Sequence, residues 1–329
     1  MTDGLWDGIL ALRAALSHTV APVRFACLSM NGKVTLNQPL EAGEVVCIGL
    51  DNANHCPPAG QAYIQRINSV HFEVRQPGNF DYPSLLSLKP YLPYLFLPQA
   101  ANAHGRACTV AHFAQSLDGK IATDSGHSKW IGNDENLVHA HRMRALCDAV
   151  LIGGGTLAFD RPQLTVRHVS GTHPVRVVVG HPDADYDSLR RACDQPIFVY
   201  GSAANDVVEA PVEYTQLPAM PKGRVCSLQV LQALYQRGIR SVYLEGGPTT
   251  TSRFLEDGAV DILQLHISPM LFGSGLSAVR LAPIGKVDEA IAFQSFTFEP
   301  IGDTMMFVGI PENATQSAPT PTAAAIQKK

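Results

Sequence analysis

The run Ser241-Val242-Tyr243-Leu244-Glu245-Gly246-Gly247-Pro248-Thr249-Thr250-Thr251-Ser252 constrains the fold more than any other stretch of the chain. Ser241 to Leu244 reads as a short buried strand. Gly246-Gly247 then turns the chain. Pro248 suits the first position of a helix, because its fixed φ is already helical and the N–H it lacks would have no partner there. The helix is expected to run to about Asp257, with Gly258 able to cap it. Strand, glycine turn and helix start make an α/β unit. They also make an anion site, because free N–H groups and the positive end of the helix dipole meet there. The alternative is a tight connection without a ligand, since a Gly-Gly turn is a weak motif. The run is not G-x-G-x-x-G and lacks an acidic residue about 20 positions on, so a Rossmann assignment is not licensed. Glu245 favours a site, because the C-terminal end of a buried strand opens on the crevice where open α/β sheets bind ligands.

A length of 329 residues suggests two domains. Hydrophobic content of 46% with 16% charged residues is that of a globular protein with a sizeable core. A net charge of −4 with no Lys/Arg run disfavours nucleic-acid binding, which needs a basic face. No apolar run approaches the roughly 18 residues of a membrane span, and Met1-Thr2-Asp3-Gly4 lacks the positive start of a secretory signal. The seven cysteines are odd in number, widely spaced and never paired as C-x-x-C, so reduced, buried thiols of a cytoplasmic protein are expected.

Residues 1 to about 105 form a smaller α+β region. Leu5 to Leu16 has the spacing of an amphipathic helix, and Val23 to Leu28 and Lys33 to Leu36 flank the hairpin turn Asn31-Gly32. Glu44 to Leu50 reads as a strand, and Phe80 to Gln99 as a packed irregular connection. Pro98 to Gly105 is the best boundary. A zinc nucleotide deaminase needs H-x-E and a later P-C-x-x-C. His71-Phe72-Glu73 meets the first requirement and nothing meets the second, so no metal site is expected.

From about Arg106, strands alternate with helices: Cys108 to Gln115, a helix from the N-cap Asn133 to Leu146, then Ala149 to Ile152 followed by Gly153-Gly154-Gly155-Thr156. Val175 to Val179, Ile197 to Tyr200 and Ser241 to Leu244 are further strands, with a helix over Leu228 to Gln236. After Val260, strand follows strand. The pattern predicts an α/β fold, a mostly parallel sheet with antiparallel edge strands. Residues 311–329, without aromatics, are expected to be a disordered tail.

Four stretches in order resemble one family. They are Phe113-Ala114-Gln115-Ser116-Leu117-Asp118-Gly119-Lys120-Ile121-Ala122, Ser125 to Ile131, Gly155-Thr156-Leu157-Ala158-Phe159-Asp160-Arg161-Pro162-Gln163-Leu164-Thr165-Val166-Arg167, and Glu245-Gly246-Gly247-Pro248-Thr249. Together they resemble the reductase domain of the riboflavin-biosynthesis deaminase-reductase, over about residues 106 to 310. Residues 1 to 105 show no resemblance to the deaminase half. The resemblance implies a dihydrofolate-reductase-like fold, a homodimer, and NADPH-dependent reduction of a ribosylamino-pyrimidine 5′-phosphate to its ribitylamino form. It implies that Ser116, Trp130, Thr156, Asp160 and the run Gly246, Gly247, Pro248, Thr249 and Thr250 hold the cofactor. It places Ser128, Arg144, Leu164, Arg167 and Glu245 on the substrate side, with Glu245 nearest the chemistry.

The residue chemistry agrees. Arg144 and Arg167 can bind a phosphate through paired charge-assisted hydrogen bonds, or else sit on a solvated helix face and a strand end. Trp130 offers a flat wall for a ring, or plain core, while Ser116 and Asp118 can simply satisfy their own turn. One departure stands out: the family commonly has two acidic residues before the proline, and here Asp160 is followed by Arg161. That leaves open a related reductase recruited to another small molecule, or a silent dinucleotide-binding protein.

Overall fold

The computed structural model describes residues 1–19, 22–40, 44–50, 61–128, 131–181, 183–204 and 210–312. The tail expected over 311–329 therefore lies almost wholly outside the described residues, as does Trp130.

The first region opens with helix α1 (Asp3–Ser17), whose Leu5, Trp6, Ile9, Leu12 and Leu16 are buried at helical spacing. A small sheet follows, built from β1 (Phe25–Ser29), β2 (Val34–Leu36), β3 (Val45–Gly49), β4 (Ala62–Arg66) and β5 (Phe72–Gln76), in the order β2-β1-β3-β4-β5. The hairpin at Asn31-Gly32 forms as expected, with Gly32 at φ 79°. His71 and Glu73 sit at and just inside the start of β5, 3.9 Å apart.

The expectation of an irregular connection over Phe80 to Gln99 is corrected. From Tyr82 on the segment is helical: α2 (Tyr82–Leu88), a 3₁₀ stretch (Lys89–Phe96) and α3 (Leu97–His104). Asp81 caps the first by accepting from Ser84 N at 2.8 Å, and a proline opens each segment, where the missing N–H costs nothing. The closely spaced prolines hid the periodicity. Gly105, at φ 65°, ends the series.

The larger unit comprises β6 (Cys108–Ser116), β7 (Lys120–Ala122), α4 (Asp134–Leu146), β8 (Ala149–Gly153), α5 (Gly154–Asp160), β9 (Val175–Val179), α6 (Asp187–Arg190), β10 (Ile197–Gly201), β11 (Val212–Gln216), α7 (Ser227–Gln236), β12 (Ser241–Leu244), α8 (Pro248–Glu256), β13 (Ile262–Ser268), β14 (Leu276–Ser277), β15 (Phe293–Ile301) and β16 (Thr304–Pro311). Nine strands form one sheet in the order β11-β10-β9-β8-β12-β6-β13-β16-β15. All neighbours are parallel up to β13, and β16 and β15 add antiparallel. This is the fold class that the alternation of elements predicts. The glycine run after β8 does not stay a turn: α5 starts at Gly154, directly off the strand.

One apolar core joins both regions, because Trp6, Leu92 and Tyr94 share it with Val110, Val150 and Tyr243. Burying a large apolar side chain contributes about 1.5–3 kcal/mol, so this shared core binds the regions firmly. Polar ties add to it. Arg13 on α1 donates from Nη2 to Asp148 Oδ1 at 2.8 Å, and the other oxygen of Asp148 accepts from the N–H groups of Arg240 and Ser241, at 2.8 and 3.0 Å.

Arg106 and Asp261 clamp the chain where it enters β6. Two parallel hydrogen bonds of 2.9 and 2.8 Å join them, Asp261 also accepts from Thr109 N at 2.7 Å, and both residues are buried. His104 and Cys108 lie beside Asp261, but its carboxylate is already neutralised by Arg106. Removing one partner of such a pair leaves a buried charge. Asp261→Asn is therefore expected to lower unfolding stability by about 3 kcal/mol in urea titration, and Arg106→Met with Asp261→Leu to recover most of it. A midpoint unchanged by Asp261→Asn would show that the clamp contributes nothing.

Candidate active site

The sheet's central strands β8, β12 and β6 lie side by side and parallel. Residues at or just beyond their C-terminal ends line a cavity of ≈ 930 Å³, the place where a parallel sheet takes its ligand. Glu245 to Thr250 form one wall, with Thr156 and Asp160 of α5 and Ser128 among the other lining groups. Gly247 is the N-cap of α8 and supplies no side-chain cap. Its own amide and that of Thr250 are already bonded, to Thr156 Oγ1 at 3.0 Å and to Gly247 O at 3.1 Å, so what the helix start offers a ligand is the positive end of its dipole.

Two close approaches explain the glycines. A Cβ on Gly153 would lie 2.1 Å from Thr250 Oγ1, and one on Gly247 would lie 2.9 Å from Thr156 Oγ1. The same Thr156 oxygen accepts from Gly247 N at 3.0 Å, so the two glycine segments read from the sequence are joined by a hydrogen bond. Arg253 and Arg280 line the cavity as well, and Arg280 N donates to Ser252 Oγ at 2.7 Å. Backbone exposed at glycines, hydroxyls, a helix start and two cations fit an extended phosphorylated cofactor.

Glu245 is fixed from behind. Arg144, in the last turn of α4, donates Nε to Glu245 Oε1 at 2.6 Å and Nη2 to Oε2 at 2.7 Å, while its Nη1 reaches Thr165 O at 3.1 Å. Both side chains are largely buried. Burial opposes the Arg144 charge, yet the Glu245 carboxylate outweighs it and the guanidinium pKa rises. Glu245 thus has one set of lone pairs engaged by Arg144 and its edge on the cavity. Asp160 faces the same cavity, and desolvation pushes its carboxyl pKa up.

Of the residues expected at the site, the structure brings together Ser128, Thr156, Asp160, Glu245, Gly246, Gly247, Pro248, Thr249 and Thr250. It places four elsewhere. Ser116 is buried in its own turn, donating to Asp118 Oδ1 at 2.6 Å and accepting from Lys120 N at 3.0 Å. Asp118 also accepts from Phe272 and Gly273, and these bonds, that from Ser116 foremost, lower its pKa to about 2. Arg144, expected to meet a phosphate, stands behind Glu245 and off the wall, where it supports the carboxylate. Leu164 is buried at φ 55°, a strained conformation of the kind that clusters near functional sites. Arg167 is exposed, donating to Gln163 Oε1 at 2.9 Å and Thr165 Oγ1 at 2.7 Å. Arg161 caps α5 at φ 45° and is also off the wall, so the departure at that position leaves the lining unchanged.

Sequence reading missed the polar belt beneath the cavity. Tyr243 pairs with Val110, and His112 with Gln264, so Tyr243, His112, Gln264 and His266 share one face of the sheet. His139 of α4 covers it, with its Nδ1 3.1 Å from the Tyr91 hydroxyl. The ring of His112 lies 5.1 Å from His266, 5.9 Å from His139 and 5.5 Å from Tyr243, stacked on the last. Desolvation holds His112 well below the ordinary imidazole pKa, helped by His139 and Arg144, and it lowers His139 to about 4. Desolvation and Arg144 likewise bring His141 down to about 3.

These imidazoles are neutral in the fold and take protons near pH 6.5 when unfolded. A folded pKa below the unfolded one gives stability that is complete above the unfolded value and lost as pH falls towards the folded one. The melting temperature is therefore expected to drop steadily from about pH 6.5 to about pH 4. His139→Phe should flatten that drop, as followed by circular dichroism at each pH; an equal slope would remove His139 from the account.

Fold and site define an α/β protein with a crevice at the C-terminal ends of its central parallel strands. The model of the RibD C-terminal domain matches residues 108–306, and the chain belongs to that family, as the four motifs imply. It is 29% identical over 289 residues to the riboflavin biosynthesis protein RibD of Mycobacterium tuberculosis, covering 81% of this chain and 78% of that protein. It is 34% identical over 190 residues to the 2,5-diamino-6-ribosylamino-4(3H)-pyrimidinone 5′-phosphate reductase of Methanothermobacter thermautotrophicus, covering 56% and 87%. The solved structure of Acinetobacter baumannii RibD superposes with a TM-score of 0.60 at 18% identity, over 94% of this chain and 98% of that one. That likeness of fold takes in the first region, which sequence reading left unrecognised.

Proposed function

We propose that residues 106–310 form an NADPH-dependent reductase acting on a ribosylamino-pyrimidine 5′-phosphate, of the 5-amino-6-(5-phosphoribosylamino)uracil type, by hydride transfer to the sugar C1′. The observation that carries this reading is one cavity holding both an uncapped helix start and a buried carboxylate fixed by Arg144. The family membership and the reductase name of the Methanothermobacter relative support it. A deaminase step is not part of the proposal, because the sequence has no P-C-x-x-C.

When bound, the nicotinamide supplies the hydride. The chain supplies the rest. The glycine backbone at Gly246-Gly247, the positive end of the α8 dipole and the hydroxyls of Thr249 and Thr250 form the pyrophosphate cradle, and Thr156 and Asp160 bond ribose or carboxamide. Arg253 and Arg280 add positive charge for the extra phosphate of NADPH. Ser128 on the wall takes the substrate phosphate. The ring-opened sugar is an imine, and it accepts hydride at C1′ when its nitrogen is protonated. The Glu245 carboxylate stabilises that cationic nitrogen and orients it. With both oxygens held by Arg144, Glu245 acts as a fixed negative charge in preference to an acid. A homodimer belongs to the same reading, with Phe296, Phe298 and Met305 exposed on the β15–β16 hairpin as its apolar contribution. Among the described residues no helix is long and apolar enough to cross a membrane.

Purified protein with NADPH and the pyrimidine phosphate is expected to lose absorbance at the reduced-nicotinamide band, with one ribitylamino product per cofactor oxidised. Glu245→Gln should lower kcat about 10²–10³-fold while substrate affinity changes little, the loss typical of a charge aimed at a developing charge. NADPH binding without turnover in the wild-type chain would overturn the proposal. Near-full turnover by Glu245→Gln would overturn the role given to that residue.

A further inference from the structure

The mechanism above leaves His112 unused, although it lines the cavity. It is 8% exposed and is the polar belt's contact with the ligand space. Behind it, His139 and His266 are fully enclosed, and no carboxylate among the described residues is bonded to any of the three rings. His112 Nε2, His139 Nε2, both nitrogens of His266, Tyr243 OH and Gln264 Oε1 have no hydrogen-bond partner among the described residues. Buried polar atoms cost about 1–3 kcal/mol each when unpaired, so a row of them ending on a cavity marks a place built to receive hydrogen bonds.

The kind of group received follows from charge. Three imidazoles packed within contact of each other, with Arg142 over the Tyr91 ring beside His139, do not share a proton charge without mutual repulsion. A neutral imidazole presents one donor and one acceptor, and it gives an anion no charge to pair with. Asn136 lines the cavity too, beside His112, so a neutral amide stands with the imidazole. The cationic lining groups, Arg253 and Arg280, belong instead with α8, through Arg253 in its last turn and Arg280 N on Ser252.

We propose that His112, with Asn136 beside it, reads the substrate's heterocycle by exchanging hydrogen bonds with a carbonyl and ring N–H of an uncharged pyrimidine. This rests on the pyrimidine reading above and adds to it the side chains that select the base. His139 and His266 are positioning residues that hold the His112 ring and keep it from accepting a charge. The site then divides by polarity: phosphates go to cations and the helix start, and the base goes to the neutral imidazole and amide.

The test uses the full chain. His112→Phe keeps a ring stacked on Tyr243 and removes both hydrogen-bonding atoms. It is expected to raise KM for the pyrimidine phosphate about 10–100-fold, with the NADPH dissociation constant within twofold of wild type. His112→Asn, which restores a neutral hydrogen-bonding group, should recover a substantial part of the loss. An unchanged KM, or a loss that follows NADPH affinity, overturns the proposal. A second readout covers a variant that fails to fold and separates this inference from the reaction. In wild-type chain carrying ¹⁵N-histidine, the imidazole resonance assigned through His112→Asn should shift on adding the pyrimidine phosphate. Binding with that shift but without turnover leaves the His112 assignment standing while the reductase reading falls. Binding or turnover without the shift overturns the assignment alone.

Discussion

The ion pair between Arg144 and Glu245 is the interaction on which the site depends. It joins the last turn of α4 to the end of β12, and through Thr165 O it also anchors the segment that follows α5. Glu245 N in turn donates to Leu151 O at 2.9 Å, so the backbone bearing the carboxylate is locked to β8. A guanidinium fork meets the largely enclosed carboxylate with two bonds in one plane. The arrangement leaves Glu245 in one orientation before any ligand arrives, which is what an electrostatic role in catalysis requires. It also ties Arg144 to the protein: one N–H on each of its three nitrogens is engaged by Glu245 or Thr165.

Around that pair the cavity is made by backbone proximity. Gly153 packs against Thr250, and Gly247 donates to Thr156, so the ends of β8 and β12 and the starts of α5 and α8 form one rim. The first region matters here through packing rather than through lining groups. Its α1 reaches Asp148 at the entrance to β8 and Ser241 at the entrance to β12, by way of Arg13. Its Tyr91 and Tyr94 close the polar belt from the side opposite the cavity, with Tyr94 OH accepting from Gln264 Nε2 at 2.6 Å. The first region thus walls the back of the site without entering it.

What could be read from the chain alone follows from which constraints are local. A strand, a glycine turn and a Pro-initiated helix are fixed by φ values and orphan N–H groups within a dozen residues, so the Ser241 to Ser252 unit and the Asn133 cap were legible. So was the parallel sheet with its antiparallel edge, because alternation of elements is a sequence property. The helical run 82–104 was hidden because its prolines, each at a segment start, broke the period that marks a helix. The bond from Arg144 to Glu245 spans 101 positions, and no local pattern announces it. Arg280 came to the cavity only through its link to Ser252.

The histidine belt had a signal of another kind. His112 interrupts an apolar strand, and His266 another, and each alone is more simply a core histidine satisfied by a neighbour. The register turns them into a set: His112 opposite Gln264 puts His266 on the same face, and Tyr243 opposite Val110 adds the third strand. A sheet face with four polar side chains on three adjacent strands cannot be ordinary core, since each unpaired atom there carries a desolvation cost. Apolar residues would serve packing better. The belt's retention of neutral rings, in place of a lysine or arginine that would seek an anion, assigns this end of the cavity to an uncharged heterocycle and leaves the anions to α8.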